Sequence, residues 1–162
     1  MTNYDHLIPP GFKLVPVEER HLVIVYLGRV PSYRLEHVVR AFAEVARLHR
    51  PFTIEFMGLA PFPSASKPRH LAAVAKPSPE LLSIRSALRA RLVDLEHDKY
   101  SEYKPHVTIA STRLKPDAEL LRLVEKAIKR SRNLRASMYV TTVALFSAES
   151  GRISVAKEIE LG

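Results

Sequence analysis

Two histidines stand at the head of short β-branched runs. One run reads Glu19-Arg20-His21-Leu22-Val23-Ile24-Val25, the other Tyr103-Lys104-Pro105-His106-Val107-Thr108-Ile109-Ala110. Runs of this kind form buried strands, and alternate side chains of a strand share a face. His106 and Thr108 therefore point one way, and Val107 and Ile109 the other. His21 and Val23 share a face by the same rule, which places Leu22 and Ile24 with Val107 and Ile109 in the core. An imidazole ordinarily titrates close to neutrality, so two of them in one cleft can divide acid and base work at an oxygen. Either histidine alone is more often a structural strand residue. The pair gains weight because each occupies the same place in a repeated pattern. The repeat is unequal: the second run offers a hydroxyl two residues after its histidine, and the first offers only the methyls of Val23.

The elements that must position these groups repeat in order. In the first pass, a strand over His21–Leu27 ends at Gly28. A helix then starts at Pro31-Ser32, with Leu35, Val38, Val39, Phe42 and Ala46 on one face, and His49-Arg50-Pro51 stops it. Strands follow near Phe52–Met57 and Arg69–Ala75, separated by a turn-rich loop at 60–68. In the second pass, the strand His106–Ala110 leads to Lys115-Pro116-Asp117. Pro116 suits a first helical position and Asp117 the positive helix start. Leu120, Leu121, Val124, Ala127 and Ile128 turn inward from that helix. A strand near Met138–Phe146, a hairpin turn over Ser147–Gly151 and a returning strand Ile153–Leu161 complete the pass. Between the passes, a helix over about Pro79–Glu96 carries the stripe Leu81, Leu82, Ile84, Leu88, Leu92 and Leu95. The sum is an α+β fold: two pseudo-symmetric lobes, each a small, mostly antiparallel sheet backed by helices, with a central cleft. All of it is one bilobal domain spanning residues 1–162.

With these motifs in place, the chain resembles the 2H phosphoesterase superfamily, in particular the RNA 2′,3′-cyclic phosphodiesterase or 2′-5′ RNA ligase family. That family carries one His-x-Thr/Ser motif per lobe, flanking a cleft. The resemblance rests on His21-Leu22-Val23 with the following Gly28, on Tyr103-Lys104-Pro105-His106-Val107-Thr108-Ile109, and on Phe56-Met57-Gly58-Leu59-Ala60-Pro61-Phe62-Pro63. It implies metal-independent phosphodiester chemistry at RNA ends or nucleotides. His21 and His106 would be general acid and base, in either order, and Thr108 would hydrogen-bond a non-bridging phosphate oxygen. Tyr103 has two readings, a stacking platform for a base or a packed rim aromatic. The family often has an arginine soon after its second motif. Here Ser111 and Thr112 come first, and Arg113, on Ser111's side by alternation, is the substrate-binding candidate. The family also has an extra strand and helix before its first histidine. Here about 20 residues, including Pro9, Pro10 and Pro16, precede His21, so the first lobe is expected to be trimmed or rebuilt. Because Val23 has replaced the first hydroxyl, a non-catalytic or weakly active RNA- or nucleotide-binding protein on the same scaffold is the competing reading.

Composition narrows the classes. The chain has 162 residues, enough for one core, and no cysteine, which excludes disulfides, zinc–thiolate sites and thiol catalysis. No apolar run approaches the ~20 residues of a membrane span. Met1–Pro10 lacks a signal-peptide pattern, and a cytoplasmic protein is the default. The net charge of +8 has two readings, a solvated basic surface or an anionic partner such as RNA or a nucleotide. Arg122, Lys126, Lys129, Arg130, Arg132 and Arg135 crowd one stretch. Glutamine is absent and asparagine occurs only at Asn3 and Asn133, a depletion that fits a thermophilic source. No ligand cluster or Gly-rich loop points to a metal or cofactor, and no obligate protein partner is inferred. Among the other histidines, His37, His49 and His97 read as solvated surface and His6 as part of a loose start. His70, at the head of a strand beside Arg69, reads as a surface residue or one within reach of the cleft.

Overall fold

The computed structural model describes residues 1–95, 102–149 and 152–162. The fold is α+β, and the chain divides into two compact units. Unit 1 comprises Met1–Val23, Ile54–Lys76 and Lys104–Met138, and unit 2 comprises Ile24–Thr53, Pro77–Tyr103 and Tyr139–Gly162.

The strands of the larger sheet are β1 (Lys13–Leu14), β2 (Phe52–Pro63), β3 (Pro68–Ala75), β4 (His106–Ser111) and β5 (Arg135–Val140), in the spatial order β1-β4-β3-β2-β5. β4 is thus interior, with antiparallel β1 on one side and antiparallel β3 on the other. The second sheet is the hairpin of β6 (Thr142–Glu149) and β7 (Arg152–Glu160). The strand expected over Met138–Phe146 is split at Thr141, whose carbonyl accepts from Leu161 N. β2 runs through the expected loop as far as Pro63. Residues 150 and 151 of the expected hairpin turn, Glu96 at the end of the helix expected over Pro79–Glu96, and His97 after it lie outside the described residues.

In unit 1, helix α3 (Ala118–Ser131) buries Leu120, Val124 and Ala127. Asp117 is its cap: Leu120 N donates to Asp117 Oδ1 at 2.7 Å. Pro116 therefore precedes the cap instead of opening the helix. The N-terminal segment is tied down. Tyr4 is fully buried, and its hydroxyl donates to the Leu134 carbonyl at 2.7 Å and accepts from Gly58 N at 3.2 Å. His6 accordingly sits in an ordered helical turn, Asp5–Leu7, not a loose start. Gly58 has φ +81, the left-handed region that glycine occupies at least cost.

In unit 2, α1 (Leu35–Arg47) buries Val38, Ala41, Phe42, Val45 and Ala46, and packs against the second helix and the hairpin. The second helix, α2 (Pro79–Arg91), opens as capping rules dictate: Ser78 accepts from Leu81 N, and Pro79 is the first helical residue. Its buried side is Leu81, Ile84, Arg85 and Leu88, while Leu82 is exposed. His49 is half-buried between Val45 O and Ser83 Oγ, at 2.8 and 3.1 Å, which corrects its reading as solvated.

Candidate functional site

The first histidine run forms far less strand than its sequence predicts. Among the described residues, its ladder is a single bridge, Leu22 to Val107 of β4. The Ile24 carbonyl accepts from Arg85 Nη1 at 2.6 Å, so a side chain supplies the bond a strand neighbour would have made. Leu22 and Ile24 are half-buried rather than core, whereas Val107 and Ile109 are buried as expected.

That bridge is enough to set a register. Directly opposed residues of an antiparallel pair share a face. Continued by one residue each way, the register puts His21 across from Thr108 and Val23 across from His106, on the face opposite Val107. Val23 is 47% exposed, in keeping with that orientation. Opposed Cβ atoms lie about 4.5–5.5 Å apart and diagonal neighbours about 7–8 Å. His21 and His106 are diagonal neighbours, a separation at which two imidazoles reach one tetrahedral anion from different sides. Both belong to unit 1. The first motif pairs with β4 through Leu22 before the chain enters unit 2 at Ile24.

The two rings are held alike. His21 Nδ1 lies 2.8 Å from the Glu19 carbonyl oxygen, and His106 Nδ1 lies 2.7 Å from that of Lys104. A carbonyl only accepts, so Nδ1–H donates in each ring and the basic lone pair belongs to Nε2. His106 is also stacked on Phe62, with ring centroids 4.2 Å apart and planes 17° from parallel. The segment leading to His21 is fastened by Arg20, whose guanidinium donates to both Asp5 carboxylate oxygens at 2.8 and 3.1 Å and to the Val15 carbonyl at 3.0 Å.

β4 carries one extra residue. Its partners pass from Leu71↔Ala110 to Ala72↔Thr108, so Ile109 is unmatched. Such a bulge leaves two successive side chains on one side. Ile109 and Ala110 are both buried, and Ser111 returns to the face of His106 and Thr108. His70, opposite Ser111, bonds it through Nδ1 at 2.8 Å from Oγ. Desolvation, and then the charge of His106, push the His70 pKa below its ordinary value. Lys13 of β1, also opposite Ser111, is exposed on the same face.

Of the candidates named from sequence, the continued register sets His21, His106 and Thr108 on one face. Tyr103 belongs to unit 2, where the Arg85 guanidinium carbon lies 4.1 Å from its ring centroid. Arg113 is exposed beyond the end of β4, and no strand register among the described residues places it on the histidine face. Just past β4, Thr112 N donates to the Arg69 carbonyl at 2.9 Å and the Thr112 hydroxyl to the Gly11 carbonyl at 2.7 Å. The basic residues from Arg122 to Arg135 are exposed, with Lys129 paired to Glu125 at 3.1 Å. Sequence reasoning missed Phe62, Lys13 and the fastening by Arg20. It named Ser111 without seeing that a bulge would aim it, because a single unmatched residue leaves no mark in a run of small and β-branched side chains.

The architecture is that of the 2H phosphoesterases. The Thermus thermophilus protein TT0787 superposes with a TM-score of 0.72 at 24% identity, covering 94% of this chain and 83% of that one. Escherichia coli LigT complexed with 3′-AMP gives 0.66 at 17% identity, over 97% and 86%. Residues 10–152 match the model of the 2′-5′ RNA ligase superfamily, and the chain belongs to it. An RNA 2′,3′-cyclic phosphodiesterase of Archaeoglobus fulgidus is 28% identical over 116 residues, 72% of this chain and 64% of the relative. One of Thermus thermophilus is 30% identical over 107 residues, 62% and 54%. The chain thus spans somewhat over half the length of these relatives. No described helix is long and apolar enough to cross a membrane.

Proposed function

We propose that the chain is a phosphodiesterase acting without a metal on 2′,3′-cyclic phosphate ends of RNA or nucleotides, with 2′-5′ RNA ligation as a related reaction on the same site. The observation that carries this reading is the diagonal pair His21 and His106, each with Nδ1–H committed to a backbone carbonyl two residues earlier. One Nε2 takes a proton from water as its oxygen bonds to phosphorus. The other imidazole, protonated, gives its proton to the ribose oxygen as the ring P–O bond breaks. The products are a ring-opened phosphomonoester and a free hydroxyl. Thr108, opposite His21, donates to a non-bridging oxygen where charge grows. Among the described residues, no group of three or more His, Cys, Asp or Glu is placed to hold a metal. The two relatives named for this activity, and the 3′-AMP complex of LigT, support the same substrate class.

A second reading has one specific observation behind it. Position 23, across from His106, is Val and cannot donate, which fits a protein that binds phosphate ends without turning them over. An assay decides. A cyclic-ended oligonucleotide and a 2′,3′-cyclic nucleotide are incubated with the protein in EDTA, and ring opening is followed by chromatography. Ring-opened product is the expected result. Binding of a 3′-phosphate end with no product favours the second reading.

A further inference from the structure

The histidine face does not end at Thr108. Three residues further along β4, the bulge at Ile109 turns Ser111 back onto it. Ser111 is flanked in register by His70 of β3 on one side and Lys13 of β1 on the other. The His70 ring is bonded to the Ser111 hydroxyl. These three residues, neighbours in register, carry an ammonium, a hydroxyl and an imidazole, a donor set suited to a phosphate oxygen. Opposed residues on neighbouring strands are about 4.5–5.5 Å apart, so a single anion can meet all three. On β3 the step from Ala72, opposite Thr108, to His70, opposite Ser111, is two residues, roughly 6.6 Å at about 3.3 Å per residue. That is the scale of one step along a nucleic-acid backbone.

We propose that Lys13, His70 and Ser111 form a second anion subsite, which takes the phosphate on the 5′ side of the terminal nucleotide while its 3′ phosphate lies between His21 and His106. The proposal rests on reading the histidine pair as the site of the end phosphate, and it makes the preferred ligand an oligonucleotide end instead of a free cyclic nucleotide. A chain end carries that 5′ phosphate as its last phosphodiester, and a nucleoside 2′,3′-cyclic phosphate lacks it. The subsite also lies on one side only. Across from His106 the face offers Val23, so the polar groups on the Thr108 side fix which way the strand runs through the site.

The test needs no turnover. Affinities of a nucleoside 3′,5′-bisphosphate and the matching nucleoside 3′-monophosphate are measured by calorimetry at fixed salt, for the wild type, Lys13→Ala, Ser111→Ala and His70→Ala. The wild type is expected to favour the bisphosphate by about tenfold or more, the scale of one hydrogen bond to a charged group. Each substitution is expected to cut that ratio several-fold, with Lys13→Ala, at an exposed edge position, leaving the melting temperature in place. A wild-type ratio near one, or a ratio unchanged in Lys13→Ala and Ser111→Ala, overturns the subsite. Failure of the proposed activity looks different: no ring opening of either substrate, with the affinity ratio intact. The same comparison of cyclic nucleotides with and without a 5′ phosphate, read as kcat/KM, extends the test to an active preparation. There the substitutions should lower kcat/KM for the 5′-phosphorylated substrate by the larger factor.

Discussion

The bridge between Leu22 and Val107, continued by one residue each way, sets Val23 across from His106 and Thr108 across from His21. The two rings match in the backbone carbonyl that each Nδ1 meets, and the residues two after them differ, Val23 against Thr108. Val23 is 47% exposed, so a hydroxyl introduced there can reach water.

Val23→Thr should restore the missing hydroxyl beside the phosphate. A hydrogen bond to a charged group contributes about 1.5–3 kcal/mol net, so kcat/KM on a cyclic end should rise by up to tenfold to hundredfold. The melting temperature should barely move, because water satisfies the new hydroxyl when no ligand is bound. Steady-state kinetics and a thermal scan check both halves. A clear drop in melting temperature would mean that position 23 is buried and the register slipped.

Arg20 should matter more than a surface charge. Its side chain is 4% exposed, and its Asp5 partner 26%. Arg20→Ala leaves that carboxylate and the Val15 carbonyl without their donor, at a cost of about 1–3 kcal/mol. It also releases the segment that carries His21. Urea denaturation should show the loss of stability, and kcat should fall with it. Arg20→Lys should recover only part, since an ammonium cannot hold both carboxylate oxygens as a guanidinium does.

His70 gives a pH dependence of known sign. Its folded pKa lies below the ordinary 6.5, chiefly through desolvation. Between the two values the unfolded chain binds the proton and the folded one does not, so stability falls as pH drops from about 6.5. His70→Asn removes this contribution. Melting curves at pH 7.5 and pH 5.5 should show a smaller acid-side loss in the variant than in the wild type. An equal loss in both would show that His70 titrates alike in the two states.

Much of this was legible in the residues. Period-two alternation placed Val107 and Ile109 in the core and His106 and Thr108 opposite, and the helices lay close to where their apolar stripes put them. What was not legible depends on partners distant in sequence. The strand after His21 fails because Arg85 captures the Ile24 carbonyl, and residue 24 gives no hint of residue 85. That Arg85 lies over the Tyr103 ring is likewise invisible in the residues around position 103. Both histidines fall in one unit because the chain crosses between units directly after Val23, and a repeat in sequence does not say which half completes which sheet.

The most direct test of the two-histidine account is ring opening of a 2′,3′-cyclic-ended oligonucleotide in EDTA by the wild type, His21→Ala and His106→Ala, with folding of each verified by its melting curve. The account predicts product from the wild type and a loss of about 10²-fold or more in each variant, the usual scale for a general acid or base. Near-wild-type turnover in either folded variant, or wild-type activity that vanishes in EDTA and returns with added metal, would contradict it.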